Sequence, residues 1–250
     1  MAEAIKEVYA DQATLVEHVA DWLVTCIEQS QGRFSIALSG GSTPKPLYRL
    51  LASPARAARI DWSRVHLFWG DERFVPHDHP DSNYLMVKEA LIDHVPIPNE
   101  NVHPIKTDGD PAASAHDYGL QLQAYYCAQG LDPKRPLFDV NLLGMGDDGH
   151  TASLFPGAPQ LDEKKAWVLP VIGQKPETRI TLSYPVLGSA RAVVFLVAGS
   201  NKRAALERVF GGDTSLPATR VHADGQLIWF MDRAAAPDNL PQRPPRRIEI

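Results

Sequence analysis

The chain has 250 residues, 25 Lys+Arg against 30 Asp+Glu, a formal net charge of −5 with histidine neutral, and 44% hydrophobic residues. At roughly 100–200 residues per domain, that length and apolar content support one large or two small folded domains and exclude a chain disordered throughout. The acidic balance excludes a general nucleic-acid binder, which needs excess Lys and Arg to release phosphate counterions, but leaves room for a local anion site.

The segment Met1 to Tyr9 carries acidic residues where a signal peptide needs a basic start and an apolar run. The longest strongly apolar run, Ala192 to Ala198, is too short to cross a bilayer. Two cysteines, Cys26 and Cys127, stand far apart and fit a reduced compartment. The expectation is a soluble cytoplasmic protein with no membrane association.

Asp11 to Ser30 places Leu15, Val19, Leu23 and Ile27 at i, i+4 steps, which predicts an amphipathic helix with Asp11 as its cap. Apolar, β-branched or aromatic runs predict strands at Phe34 to Leu38, Val65 to Trp69, Val140 to Leu143, Ile180 to Leu182, Val193 to Val197 and Leu227 to Met231. Helical patterns fill Pro46 to Leu51, Asn83 to Leu91, Ala112 to Ala128 and Lys202 to Phe210. This alternation predicts an α/β fold, a parallel sheet with helices on both faces. No biased linker or repeat divides the chain, so a single domain is expected over 1–250. The Pro- and Arg-rich tail at about 234–250 reads as a solvated arm.

In such a sheet, ligands collect at the carboxyl ends of strands, where loops lead into helix N-termini. The first such loop is Ser39-Gly40-Gly41-Ser42-Thr43-Pro44. Its paired glycines allow close backbone approach to an anion, its hydroxyls add donors, and phosphate is the natural guest. The spacing is not that of a nucleotide P-loop, and an ordinary glycine-rich turn is the alternative. The second is Gly70 to Pro76, followed by Ser82-Asn83-Tyr84 at a helix start. Here Arg73 can hold a phosphate or carboxylate with its planar fork, while Asp71 or Glu72 fixes the guanidinium or accepts sugar hydroxyls. Taken alone, these charges fit a solvated turn equally well.

The third loop, Gly144-Met145-Gly146-Asp147-Asp148-Gly149-His150, contains G-x-G-x-x-G, but Asp147 and Asp148 would repel a pyrophosphate and no ribose-binding acid follows about 20 residues on. The better reading is a catalytic His150 at a helix N-terminus, kept a neutral base by the macrodipole, with Asp148 orienting it or the substrate. The fourth group is two cations, Arg179 and Lys202, which can complete a phosphate clamp. His77-Asp78-His79, flanked by prolines, reads as polar filler of a loop rather than a metal site. No G-x-S-x-G follows a candidate strand, which argues against a serine hydrolase.

Taken together, LSGGSTP (Leu38 to Pro44), WGDERFVP (Trp69 to Pro76) with SNY (Ser82 to Tyr84), LLGMGDDGHTASLFPG (Leu142 to Gly157), RITL (Arg179 to Leu182) and GSNK (Gly199 to Lys202) resemble the 6-phosphogluconolactonase family, in family order over most of the chain. The resemblance implies a Rossmann-like three-layer fold with a mostly parallel central sheet. It also implies hydrolysis of 6-phospho-D-glucono-1,5-lactone in the oxidative pentose phosphate pathway, without metal or cofactor. His150 would deprotonate the attacking water and return the proton to the ring oxygen. Arg179, Lys202 and the Ser42/Thr43 loop with Gly40 and Gly41 would take the phosphate, Arg73 the phosphate or the sugar, and Asp71 and Asn83 complete the substrate-binding set. The expected partner is this small sugar-phosphate lactone. Sugar-phosphate deaminases of the same fold typically continue after the histidine with an Asn-Glu-Pro stretch; here Thr151-Ala152-Ser153 follows, which favours the lactonase. A sugar-phosphate-sensing regulator would ordinarily need an appended helix-turn-helix, for which no segment before Phe34 has room.

Overall fold

A computed structural model describes residues 4–240 and Ile250. In chain order the elements are β1 (Ile5–Tyr9), α1 (Gln12–Gln29), β2 (Phe34–Leu38), α2 (Pro44–Leu51), α3 (Pro54–Ala57), β3 (Val65–Trp69), β4 (Asp71–Arg73), α4 (Asn83–Ala90), β5 (Val102–His103), α5 (Pro111–Tyr126), β6 (Phe138–Leu143), β7 (Val168–Val171), β8 (Arg179–Leu182), α6 (Tyr184–Gly188), β9 (Ala190–Val197), α7 (Arg203–Phe210) and β10 (Gln226–Asp232).

Seven strands form one parallel sheet in the order β1-β10-β9-β6-β2-β3-β5. Every residue of β2 is buried, as are all of β9 except Arg191. Strands covered on both faces carry continuous apolar runs such as Val193 to Val197, which is why these segments read as strands without alternation. α1 starts where the Asp11 carboxylate accepts from the Thr14 N–H at 2.8 Å, and it buries Leu15, Val19, Leu23 and Ile27.

From β2 the chain moves outward through β3 to β5; from β6 it moves the other way through β9 to β10. Adjacent β2 and β6 therefore form a topological switch point, where loops diverge and open a crevice at the carboxyl ends of the strands. A second, antiparallel sheet, β4-β8-β7, is tied to the first at Gly70, whose N–H donates to Leu38 O and whose carbonyl accepts from Leu182 N–H, both at 2.9 Å.

The α/β class and the central sheet agree with expectation, and most predicted elements shift by only a few residues at their ends. Four strands were not anticipated. β1 interleaves Lys6 and Glu7 with its apolar positions, and β5 has two residues. β7 contains Pro170, tolerated because β7 is the edge of its sheet. β4 is the charged run Asp71-Glu72-Arg73 that reads as a loop.

The tail also begins differently from expectation: Ala235 and Ala236 are fully buried, and the Arg233 guanidinium donates to the carbonyls of Ala236, Pro237 and Leu240. Residues 235–237 are thus buried rather than part of a solvated arm, while Ala234, Asp238 and Asn239 are exposed and the arginines Arg243, Arg246 and Arg247 lie outside the described residues. Cys26 is buried and Cys127 exposed, both as free thiols. Among the described residues no helix is long and apolar enough to cross a membrane.

Candidate active site

At the switch point lies a cavity of about 310 Å³, lined from the loops after β2, β6 and β9, from β4 and the start of α4, and from the start of β8. The β2 loop is pinned by Tyr48, on the buried face of α2: its hydroxyl donates to Ser39 O at 2.7 Å and accepts from Ser39 N–H at 3.1 Å. Gly41 has φ +103°, open to glycine, and a Cβ on Gly40 would sit 1.9 Å from Asn83 Oδ1. The two glycines are needed for different reasons, one for conformation and one for close approach. Thr43, at the N-cap of α2, makes no side-chain capping bond, and Ser42 and Thr43 both line the cavity.

The second wall is β4. Alternation along the strand turns Asp71 and Arg73 to the cavity and Glu72 away from it. Asp71 is nearly buried; its carboxylate accepts from Ser153 Oγ at 2.6 Å and, more weakly, from Asn83 Nδ2 at 3.5 Å. Glu72 accepts from the backbone N–H groups of Arg73, Asn83 and Tyr84 at 2.7–2.8 Å and from Ser82 Oγ at 3.2 Å. Burial pushes its carboxyl above the ordinary glutamate value, against the pull of those three N–H groups.

Arg73 pairs in register with Arg179 of β8. Arg73 Nη1 donates to Asp81 O at 2.6 Å and Arg179 Nη2 to Glu177 at 3.3 Å, but the Nε of each arginine is buried with no partner among the described residues. Buried donors are rarely left so, and two at one cavity wall point to an anionic guest.

The third loop closes on itself. Gly146 N–H donates to His150 O at 2.9 Å, Gly149 N–H to Gly146 O at 3.1 Å, and Thr151 Oγ1 to Gly144 O at 2.9 Å. Within this turn Asp148 Oδ1 accepts from His150 N–H at 3.0 Å and meets His150 Nδ1 at 2.5 Å. That contact fixes the tautomer with Nδ1 as donor and leaves Nε2 as the basic nitrogen. Burial alone would raise the Asp148 carboxyl, but the His150 amide and imidazole, with Lys175 nearby, hold it below the ordinary aspartate value.

The expected helix after His150 is not there. Thr151 and Leu154 form an isolated antiparallel bridge and Ala152 takes φ +46°, because Ser153 is drawn to Asp71 and to Thr181. No macrodipole acts on the ring; the Asp148 carboxylate orients it instead. At the fourth wall, Gly199 (φ +98°) donates its N–H to both oxygens of Asp232 at 3.1 Å and starts the 3₁₀ turn Ser200–Lys202.

The fold therefore brings Gly40, Gly41, Ser42, Thr43, Asp71, Arg73, Asn83, His150, Arg179 and Lys202 to one cavity, with Asp148 behind His150. Ser39, Met145, Gly146, Ala152 and Asn201 also line the cavity; they lie in segments singled out from the sequence but were given no individual role there, whereas Leu196 and Val197 at the end of β9 were not anticipated as lining residues. Asn201 was signalled by its place beside Lys202, and Gly146 by its place between the strand end and His150. His77 stays in its loop, with Nε2 2.8 Å from Ile105 O. The arrangement joins an oriented imidazole to a wall of cations, which suits proton transfer on an anionic substrate.

Residues 10–229 match the family model described as glucosamine-6-phosphate isomerases/6-phosphogluconolactonase. The chain is 45% identical to a 6-phosphogluconolactonase from Nostoc sp., over 92% of this chain and 95% of that protein, and 40% identical to one from Rattus norvegicus, over 90% and 88%. Among solved structures, a 6-phosphogluconolactonase from Trypanosoma cruzi superposes with a TM-score of 0.82 at 30% identity, covering 93% of this chain and 96% of that one.

Proposed function

The chain belongs to the glucosamine-6-phosphate isomerase/6-phosphogluconolactonase family, and from that premise we propose that it is a lactone hydrolase converting 6-phospho-D-glucono-1,5-lactone to 6-phospho-D-gluconate by general-base activation of water. The observation that carries this reading is one cavity holding both an imidazole oriented by Asp148 and two buried arginine Nε atoms with no partner among the described residues.

His150 Nε2 takes a proton from water as the water oxygen bonds to the lactone carbonyl carbon. The tetrahedral intermediate then collapses: the carbonyl–ring oxygen bond breaks and the proton on His150 passes to the departing ring oxygen, leaving a carboxylic acid that ionises. Backbone N–H groups of the glycine loops supply donors for the oxyanion. Arg179, Lys202 and the Ser42/Thr43 loop hold the phosphate, with Arg73 beside them, so binding energy remote from the carbonyl positions it for attack. No metal enters this scheme, and the donor set supports that: His150 Nδ1 is committed to Asp148, and the Asp71 carboxylate to Ser153 and Asn83.

The test is acid release from freshly generated lactone in excess chelator, corrected for spontaneous hydrolysis. Wild type should turn over, and a folded His150→Ala variant should lose about 10²–10⁴ in kcat. Absence of wild-type turnover overturns the lactonase reading; chelator-sensitive turnover, or full turnover in the variant, overturns the mechanism.

A further inference from the structure

Two carboxylates beside the cavity are nearly inaccessible and are bonded to backbone rather than to cations. Glu72 is 1% exposed and Asp232 5% exposed. Burying a carboxylate is costly unless it is fully hydrogen-bonded, and a neighbouring guanidinium is the usual partner. Among the described residues neither pairs with the side chains of Arg73, Arg179 or Lys202; instead Glu72 receives the Arg73 N–H together with those at the start of α4, and Asp232 receives the Gly199 N–H that opens the Lys202 turn together with that of Ala235.

Glu72 Oε1 accepts from Arg73 N–H and Asn83 N–H, and Oε2 from Tyr84 N–H and Ser82 Oγ. These bonds, with Arg73 Nη1 on Asp81 O, close the excursion 74–81 and hold Asn83 against Gly40. On the opposite rim, Asp232 Oδ1 accepts from Gly199 N–H and Ala235 N–H, while Oδ2 shares only the Gly199 N–H. That fixes the start of the turn carrying Asn201 and Lys202.

We propose that Glu72 and Asp232 are positioning residues, which set the spacing of the cavity cations by holding their loops through backbone N–H groups and so themselves neutralise neither Arg73 nor Lys202, leaving both for an anionic ligand. The proposal rests on the anion-binding side of the proposed function. It also separates the two conservative substitutions. In Glu72→Gln the amide nitrogen faces N–H donors whichever way it turns, because both oxygens accept from backbone. In Asp232→Asn the carbonyl can take the Oδ1 place and keep the Ala235 bond and its share of the Gly199 N–H, so the amide nitrogen meets only that one shared N–H rather than donors bonded to it alone.

The test uses the full chain and inorganic phosphate as probe, with Kd from calorimetry beside lactonase KM, kcat and Tm. Glu72→Gln and Asp232→Ala should each weaken phosphate and raise KM about tenfold or more, with kcat within about threefold, whereas Asp232→Asn stays near wild type. If Glu72→Gln does not fold, Ser82→Ala, which removes one of four donors, should raise the phosphate Kd about threefold. Folded variants with lowered Tm but unchanged phosphate Kd, an Asp232→Asn as damaging as Asp232→Ala, or a wild type that ignores phosphate would each overturn the proposal. A wild type that binds phosphate but does not hydrolyse the lactone defeats the proposed function alone.

Discussion

Arg73 and Arg179 stand opposite each other across the β4–β8 ladder, two arginines in register, each with a buried Nε that meets no acceptor among the described residues. Like charges directly opposed on a ladder destabilise it, and an anion between them relieves both the repulsion and the unmet donors. Arg179→Ala should therefore raise KM about tenfold to a hundredfold while leaving kcat within a few-fold, since phosphate contacts are made equally in ground and transition states. Steady-state kinetics on freshly made lactone decide it; an unchanged KM removes Arg179 from the clamp.

Gly146 leaves no room for a side chain. A Cβ there would lie 2.1 Å from His150 Nδ1 and 2.6 Å from Asp148 Oδ1, so Gly146→Ala must push the imidazole off its carboxylate. The expected result is a fall in kcat of about a hundredfold or more, with phosphate binding retained because the cations lie on other loops. A variant with wild-type kcat would show that the Asp148 contact does not matter to turnover.

The parts of this site that were legible in the sequence are the glycine-rich loops at the carboxyl ends of strands of the parallel sheet. Glycine-rich Ser39 to Pro44 and Gly144 to His150 end strands of the parallel sheet, where backbone donors gather. The parts that were not legible depend on partners distant in sequence. Asp71 and Glu72 look like solvated charge, yet Asp71 meets Ser153, 82 residues away, and Glu72 meets the start of α4. Thr151 to Leu154 looks like a helix start, but Ser153 is held by Asp71 and the turn stays irregular. Nothing within Arg179 to Leu182 says that its neighbour is β4, so the opposition of the two arginines becomes visible only in the sheet.

The packed start of the C-terminal segment makes a stability prediction. Arg233 caps three carbonyls, those of Ala236, Pro237 and Leu240, over buried Ala235 and Ala236. Arg233→Ala should cost about 1.5–3 kcal/mol, the range for hydrogen bonds from a charged donor, and leave KM unchanged. Urea unfolding measures this; an unaltered midpoint would mean that water replaces the guanidinium freely.

His103 makes stability fall on acidification. Its ring stacks on Phe68 at 4.3 Å and its Nε2 lies 3.1 Å from His66 Nδ1; burial first, and His66 second, push its pKa from 6.5 down to about 4. Above 6.5 both the native and the unfolded chain hold this imidazole neutral, so it contributes no pH dependence. Between 6.5 and about 4 the unfolded chain binds a proton that the native one refuses, so stability declines with falling pH and levels only below the native value. His103→Phe keeps a ring on Phe68 and removes the titration. It should lose some stability at neutral pH with the His66 bond, yet lose less than wild type on going from about pH 7.5 to about pH 5. Urea midpoints at the two pH values measure the difference, and equal declines in both proteins would assign the acid sensitivity to other groups.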